Sequence, residues 1–227
     1  LPIKSLTMLS LADCKITNRG FPRLGALQGL TELYLTRTNI NDKSLATIGS
    51  LTTLKGLGLS NTKITDSGMA HLGGLSQLTG LNVNHTQIGD TGLEHIKDLT
   101  ALTHLGLKET RVTSRGMRHL ANCQSLGVLW LDNTGITDDG LKRFRRLPAL
   151  KRLYLSHTKI SDVGLLYLKD NLNCQGLELS HTRVSNTGLK YLYPLKSMIG
   201  INLTGTQVTQ SGVKALQKAL PDCRVVH

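Results

Sequence analysis

Hydrophobic and polar residues follow one another in a pattern that returns every 24 residues. The segments TKITDSGMAHLGGL (62–75) and TQIGDTGLEHIKDL (86–99) carry their apolar, Thr, Asp and Gly residues at the same places. Alignment at this period gives nine units, which begin at Leu6, Leu30, Leu54, Leu78, Leu102, Leu126, Leu150, Cys174 and Met198. Such self-similarity predicts a repeat architecture, in which each unit buries its apolar face only by stacking on its neighbours.

Each unit contains two kinds of apolar spacing within the pattern LxxLxLxxTxITDxGLxxLxxLxx. In the first part apolar residues alternate, as Leu33 and Leu35 do, which is the period of a strand with one buried face. In the second part they stand five and three residues apart, as at Ile64, Met69 and Leu72, which favours a short helix with one buried stripe. The pattern therefore predicts an α/β fold: a right-handed solenoid with a parallel sheet on its concave side and short helices on its convex side.

Three polar or small positions recur in the second part of the unit. Four carboxylates stand at helix starts, where they are expected to accept hydrogen bonds from free backbone N–H groups: Asp66, Asp90, Asp138 and Asp162. Gly follows two residues later in eight of the nine units and allows close packing, Ser44 being the exception. Thr occupies the ninth position, as at Thr38 and Thr62, and is predicted to satisfy backbone groups of the neighbouring turn. Cys14 holds that position in the first unit.

These repeats resemble the leucine-rich-repeat superfamily over essentially the whole chain. The phrase TxITDxGL is most similar to bacterial repeats related to the cysteine-containing class, which usually has Cys where Thr38 and its counterparts stand. The resemblance implies a leucine-rich-repeat solenoid. The unit is shorter than is usual in that class, so an adaptor role in ubiquitin ligation is not carried over. The tail ALQKALPDCRVVH also resembles the ending of such bacterial proteins, in which Cys223 and Val226 would cover the last turn.

The repeat also predicts the domain organisation. Residues 1–227 are expected to form one leucine-rich-repeat array of nine units from Leu6, rather than two globular domains. Residues 1–5 match the end of a unit and are interpreted as the remnant of a preceding one. Residues 217–227 are interpreted as a C-terminal cap.

Composition limits the classes of function. The chain is 39% hydrophobic but only 4% aromatic, which suits an aliphatic core, and no run of about 18 apolar residues predicts a membrane span. The net charge is +12, and residues 114–227 carry 16 basic against 7 acidic side chains, so an acidic partner surface is expected. Cys14, Cys123, Cys174 and Cys223 show no CxxC spacing and are predicted to be free structural thiols.

The exposed positions between the repeated Leu residues form columns across the predicted sheet. The only Trp of the chain, Trp130, stands in one column beside Tyr154, and aromatic residues with a charged border are typical of interaction hot spots. The alternative is that these two rings merely cover the sheet. The predicted partner-binding residues are Trp130, Tyr154, Arg152, Asp132, His157, Glu178, His181, Arg183 and Tyr34.

Other polar clusters have simpler interpretations. His157, His181 and Glu178 could approach a metal ion, but without a third fixed ligand no metal or other cofactor is expected. A basic row of Lys15, Lys63, Arg111, Lys159 and Arg183 is either a solvated edge or a surface for an acidic protein or anionic glycan. Basic residues also cluster on the helices of units five and six, namely Arg115, Arg118, Lys142, Arg143, Arg145 and Arg146. Nucleic-acid binding is not expected there, because no aromatic interleaving or arginine–glycine run accompanies them.

No catalytic motif is visible. The Ser residues recur as repeat positions, and neither a GxSxG elbow nor an HExxH helix is present. The predicted function is therefore a non-enzymatic protein-interaction module that binds a partner on its concave face. A structural spacer or cell-surface assembly element is the alternative, followed by binding of an anionic glycan or nucleic acid. The identity of the partner, the compartment and the oligomeric state stay open.

Overall fold

The computed structural model describes residues 5–227, with the backbone alone at Arg146. Ten parallel strands form one sheet in chain order, and each strand is hydrogen-bonded to the next. This architecture is the α/β solenoid with a parallel sheet that the repeat predicts. The strands are β1 (Met8–Ser10), β2 (Glu32–Tyr34), β3 (Gly56–Gly58), β4 (Gly80–Asn82), β5 (His104–Gly106), β6 (Val128–Trp130), β7 (Arg152–Tyr154), β8 (Gly176–Glu178), β9 (Gly200–Asn202) and β10 (Arg224–Val226).

Short helices connect the strands along the other side of the solenoid. The α-helices are α1 (Phe21–Leu24), α2 (Asp42–Ile48), α3 (Asp66–Met69), α4 (Asp90–Glu94), α5 (Asp138–Leu141), α6 (Asp162–Leu168), α7 (Asn186–Leu189) and α8 (Gln210–Ala219). Single 3₁₀ turns occur at Asn18–Gly20, Ala70–Leu72, Phe144–Arg146 and Lys190–Leu192. Unit five differs from the others because the 3₁₀ helix Gly116–Leu120 takes the place of an α-helix.

The repeated apolar residues form the core between the strands and the helices. The central residue of each strand is aligned with its counterpart on the next, so Leu33, Leu57 and Leu81 stack in register and are buried. Full burial of one Leu side chain contributes about 1.5–3 kcal/mol. The residues that flank these central positions point to the opposite side of the sheet, which is called the sheet face below.

The carboxylates at the helix starts bond to the next unit. Asp66 Oδ1 accepts a hydrogen bond from the backbone N–H of Gly89 at 2.6 Å, whereas the helix of Asp66 is capped by the Thr65 hydroxyl. The prediction that these carboxylates accept from free backbone N–H groups is confirmed, and the donor in each case belongs to the following unit. In every pair of adjacent units a side-chain oxygen at this position accepts from a backbone N–H of the next unit, and these contacts are called the acceptor ladder. The acceptor and donor residues are Asn18–Asn41, Asp42–Thr65, Asp66–Gly89, Asp90–Thr113, Ser114–Thr137, Asp138–Ser161, Asp162–Ser185 and Asn186–Thr209.

The acceptor ladder explains the Gly that follows it in sequence. A Cβ atom on Gly92 would lie 2.6 Å from Asp66 Oδ1 of the preceding unit, which is closer than real Cβ contacts. Ser44 is accommodated at this position by a hydrogen bond that its hydroxyl donates to Asn18 Oδ1 of the preceding unit at 2.6 Å. The close packing inferred from the sequence is thus a contact between units.

The Thr at the ninth position closes its own turn. Thr62 Oγ1 donates to the carbonyl of Leu59 at 2.6 Å, three residues earlier in the same unit. The expected bond to the neighbouring turn is therefore wrong, although Thr62 is buried as predicted. The residue before each Thr is in the left-handed region, as at Glu109 with φ 52°, and this turns the chain out of the strand. Cys14 is exposed, unlike the Thr residues at its position.

The C-terminal residues extend the sheet by one strand. β10 pairs with β9 in parallel, and Cys223 beside it is buried. Val226 lies in β10, where its carbonyl accepts a hydrogen bond from the Leu203 N–H at 2.7 Å, and its side chain is 42% exposed. The expected cap boundary at residue 217 falls inside α8. The expected remnant at residues 1–5 lies outside the described residues except for Ser5.

Candidate binding surface

Three stacked rings lie on the sheet face. Trp130 and Tyr154 occupy the same position on paired strands, and their ring centroids are 5.4 Å apart with an interplanar angle of 13°. The partner of Trp130 on β5 is Gly106, which has no side chain, and the nearest ring on that side is His104 at 6.4 Å. Because neighbouring strands lie about 4.8 Å apart, flat rings at one position stack along the sheet. These residues are called the three-ring stack.

A shallow groove of about 710 Å³ runs beside the stack, where the strands turn outward. It contains six of the nine predicted binding residues: Trp130, Asp132, Tyr154, His157, Glu178 and His181. Seven further lining residues were not predicted from the sequence, and four of them are Asn84, His85, Lys108 and Asn133. They come from units four to six, and the contact follows from the parallel register, which places equivalent positions of successive units side by side.

The two carboxylates of the groove are occupied by hydrogen bonds within the protein. Asp132 is 7% exposed, and its Oδ1 accepts from the backbone N–H of Ser156 at 3.0 Å. Glu178 accepts from the Ser180 backbone N–H and from the Asn202 amide, both at 3.0 Å. Asp132 is therefore a buried acceptor that supports the groove, and its prediction as part of an exposed charged border is corrected.

His157 and His181 form a second aromatic pair at the edge of the groove. Their ring centroids are 4.3 Å apart, and both side chains are exposed. Both residues have positive φ, 55° and 56°, so their side chains project from the turn that follows the strand. Within residues 5–227 no three His, Cys, Asp or Glu side chains come together as metal ligands.

The remaining predicted residues lie around the groove. Arg152 is exposed on the other side of Tyr154, and both line a second depression of about 480 Å³ near the C-terminal end of the sheet. Arg183 is exposed in the basic row, where its backbone pairs with Ser161. Tyr34 is on β2, and its hydroxyl donates to Glu32 Oε2 at 2.9 Å. That hydrogen bond, followed by burial, raises the pKa of the Tyr34 phenol above its usual range.

A glycine-floored recess connects Tyr34 with the three-ring stack. Gly56, Gly58 and Gly80 leave a depression of about 320 Å³, whose lining also includes Tyr34, His104 and Trp130. This recess was not predicted from the sequence. The sequence did contain a signal for it, because these Gly residues interrupt two columns of exposed strand positions between Tyr34 and the rings of His104 and Trp130.

Comparisons with known proteins agree with this architecture. Residues 76–97 and 147–169 match the family model described as Leucine Rich repeat. A comparison with curated proteins found no match. None of the helices in the described part of the chain has the length and apolarity that a bilayer crossing requires.

Several solved bacterial structures have the same fold. A leucine-rich-repeat protein of Leptospira interrogans is 19% identical with a TM-score of 0.77, over 99% of this chain and 61% of that protein. Internalin C2 of Listeria monocytogenes is 21% identical with a TM-score of 0.61, over 97% of this chain and 80% of the internalin.

The functional domain of InlJ from Listeria monocytogenes, whose structure includes a cysteine ladder, is 20% identical with a TM-score of 0.68, over 94% of this chain and 47% of that domain. The chain thus spans less than two thirds of the Leptospira protein. Its 24-residue repeats build the leucine-rich-repeat fold of these bacterial proteins, as the resemblance of their motifs to that superfamily indicated.

Proposed function

We propose that the chain is a non-enzymatic interaction module that binds a protein partner on its sheet face, centred on the three-ring stack. The observation that carries this proposal is the placement of Trp130 and Tyr154. Both rings stand opposite the buried Leu129 and Leu153, so the core does not require them. Trp and Tyr are the residues most enriched among binding hot spots, and a rigid stacked pair loses little conformational freedom on binding.

The recess and the groove are concave and lie on the two sides of the three-ring stack. A partner side chain could enter the glycine-floored recess between Tyr34 and Trp130, while polar partner groups meet Asn84, Lys108 and His157 in the groove. A partner that spans both would contact residues from unit two to unit nine. Solenoid repeats commonly use such extended surfaces for binding.

The charges around the stack favour an acidic partner. Arg152 and Arg183 are exposed, and neither forms an ion pair among the described side chains. The carboxylates of Asp132 and Glu178 are already occupied by internal hydrogen bonds. Arg152, which lines the neighbouring depression with Tyr154, is therefore available to a carboxylate of a partner, and exposed cations attract acidic surfaces and raise association rates.

The alternative role as a spacer or assembly element makes a different prediction for these residues. A spacer needs the stacked core but not the aromatic rings on the sheet face. Catalysis is not part of the proposal, because the groove hydroxyls of Ser156 and Ser180 bond to each other at 3.0 Å rather than to a base.

Affinity capture with the unmodified chain and with a sheet-face variant distinguishes a binding module from a spacer. The double variant Trp130→Ala/Tyr154→Ala should lose a bound protein that the unmodified chain retains, and cross-links to that protein should map to the sheet face. Leu172→Ala is the matched control, since Leu172 is 57% exposed but follows α6 on the helix side. Equal capture by the unmodified chain and the double variant would favour the spacer.

A further inference from the structure

A basic groove lies on the helix side, between units five and six. Its volume is about 920 Å³, and five of its lining side chains are cationic, whereas Asp139 is its one carboxylate. All five cations are exposed: Arg115, Arg118, Lys142, Arg143 and Arg145. The groove does not reach the sheet face, so it is separate from the candidate binding surface.

The backbone of unit five directs two guanidinium groups the same way. Arg115 caps the 3₁₀ helix Gly116–Leu120, and Arg118 lies inside it. A 3₁₀ helix has three residues per turn, so side chains three apart project from one face. Arg115 and Arg118 therefore lie together along one wall of the groove.

Few acidic side chains neutralise these cations. Lys142 pairs with Asp139 at 2.5 Å, and Arg145 approaches Asp170 at 3.9 Å. No carboxylate that the structure describes forms an ion pair with Arg115, Arg118 or Arg143. An uncompensated group of cations in a concave site attracts anions strongly.

The acceptor ladder also carries less negative charge at this groove. Its rungs in the adjacent units are Asp90 and Asp138, but the rung that lines the groove is Ser114. Ser114 Oγ accepts from the Thr137 backbone N–H at 2.9 Å, so the structural bond is kept without the negative charge. The exchange removes a carboxylate from the wall that carries Arg115.

We propose that the basic groove binds a compact ligand with two or more phosphate groups. Four of the five cations are Arg, whose planar fork matches phosphate oxygens in a bidentate manner. The volume lies in the range of small-molecule sites, about 300–1,000 Å³. The neighbouring ring of Tyr167 is partly buried and has Lys142 and Arg145 at 5.6 and 5.4 Å from its centroid, which disfavours stacking of a nucleic-acid base on it.

Calorimetric titration with inorganic tripolyphosphate tests the proposal. The unmodified chain should bind one equivalent, and Arg115→Gln/Arg118→Gln should weaken binding at least tenfold. Arg19→Gln/Arg23→Gln removes the same charge from exposed Arg residues of the first unit and should change the affinity less than twofold. No binding by the unmodified chain, or equal weakening in both double variants, would overturn the proposal.

A second variant tests the role of the ladder. Ser114→Asp restores the carboxylate that neighbouring units accommodate, so the fold should be retained while tripolyphosphate binding falls at least threefold. An unchanged affinity would contradict the charge argument. A single-stranded oligonucleotide with the same number of phosphates should bind more weakly than tripolyphosphate; tighter binding would overturn the compact ligand in favour of nucleic acid. Trp130→Ala should leave tripolyphosphate binding unchanged, which separates this site from the proposed protein-binding surface.

Discussion

Asp162 holds Ser185 of the next repeat by two hydrogen bonds. One carboxylate oxygen accepts from the Ser185 backbone N–H at 2.8 Å, and the other accepts from its hydroxyl at 2.6 Å. Parallel strand pairing joins the same two units through β7 and β8. Adjacent repeats are therefore connected both through the sheet and through the acceptor ladder at the helix starts.

Replacing Asp162 by Ala should destabilise the solenoid. The Ser185 N–H would lose its acceptor at a partly buried position, and an unsatisfied group of this kind costs about 1–3 kcal/mol. Urea denaturation followed by circular dichroism measures the change. Asp139→Ala, which removes an exposed carboxylate, should stay within about 0.5 kcal/mol of the unmodified chain. Equal effects of the two substitutions would contradict the ladder.

Gly188→Ala should also destabilise the chain. An added Cβ would collide with the Asp162 carboxylate and come within 3.0 Å of its Cα, so about 1–3 kcal/mol is expected. Gly74→Ala is the control, since nothing lies within 4 Å of a Cβ there. The cost of Gly188→Ala should fall when it is combined with Asp162→Ser, as measured by a double-mutant cycle. An additive result would show that the carboxylate is not what excludes the methyl group.

Thiol reactivity should separate Cys14 from the other cysteines. Cys14 is exposed, whereas Cys123, Cys174 and Cys223 are buried. Alkylation of the native chain at pH 8 should therefore modify Cys14 first, and alkylation in guanidinium without reductant should modify all four thiols. Mass spectrometry counts the added groups. All four cysteines are free in the structure. Fewer than four modifications after unfolding would indicate a disulfide and would contradict it.

Stability should decrease at alkaline pH partly through the buried thiols. Burial raises the pKa of Cys123 from 9.0 to about 11. Because the folded state keeps the proton more tightly, this contribution is complete below pH 9 and is lost as the pH rises through about 11. Cys123→Val should flatten the dependence of unfolding free energy on pH in that window. An unchanged slope in Cys123→Val would contradict the assignment.

The repeat predicted the strands and helices well because one apolar pattern determines both their period and their stacking. Partners across the gap between units were harder to predict. The target of Asp66 is 23 residues away in sequence, and only the register of the turns brings it to Gly89. Asp132 was predicted to belong to a charged border because it lies near Trp130 in the repeat, whereas its carboxylate is buried and accepts from the Ser156 N–H of the following unit.

The surface of the sheet face is shaped by large side chains and also by Gly positions that lack a side chain. Trp130 and Tyr154 could be placed side by side from the period alone, and the structure stacks them. The glycine-floored recess was not predicted, since its shape depends on side chains absent from three adjacent positions. The 3₁₀ helix of unit five was also not predicted, because short α-helices and short 3₁₀ helices have similar sequence preferences.

The affinity of Trp130→Ala for a captured partner is the decisive measurement for the proposed binding surface. Surface plasmon resonance with the purified partner should show a loss of about 2 kcal/mol or more, about thirtyfold in Kd, while the unfolding free energy changes little because the ring lies outside the core. Arg143→Ala/Arg145→Ala on the helix side should leave the Kd within about twofold. Unchanged binding by Trp130→Ala together with loss of binding in the helix-side variant would contradict the account and place the protein interface on the helix side.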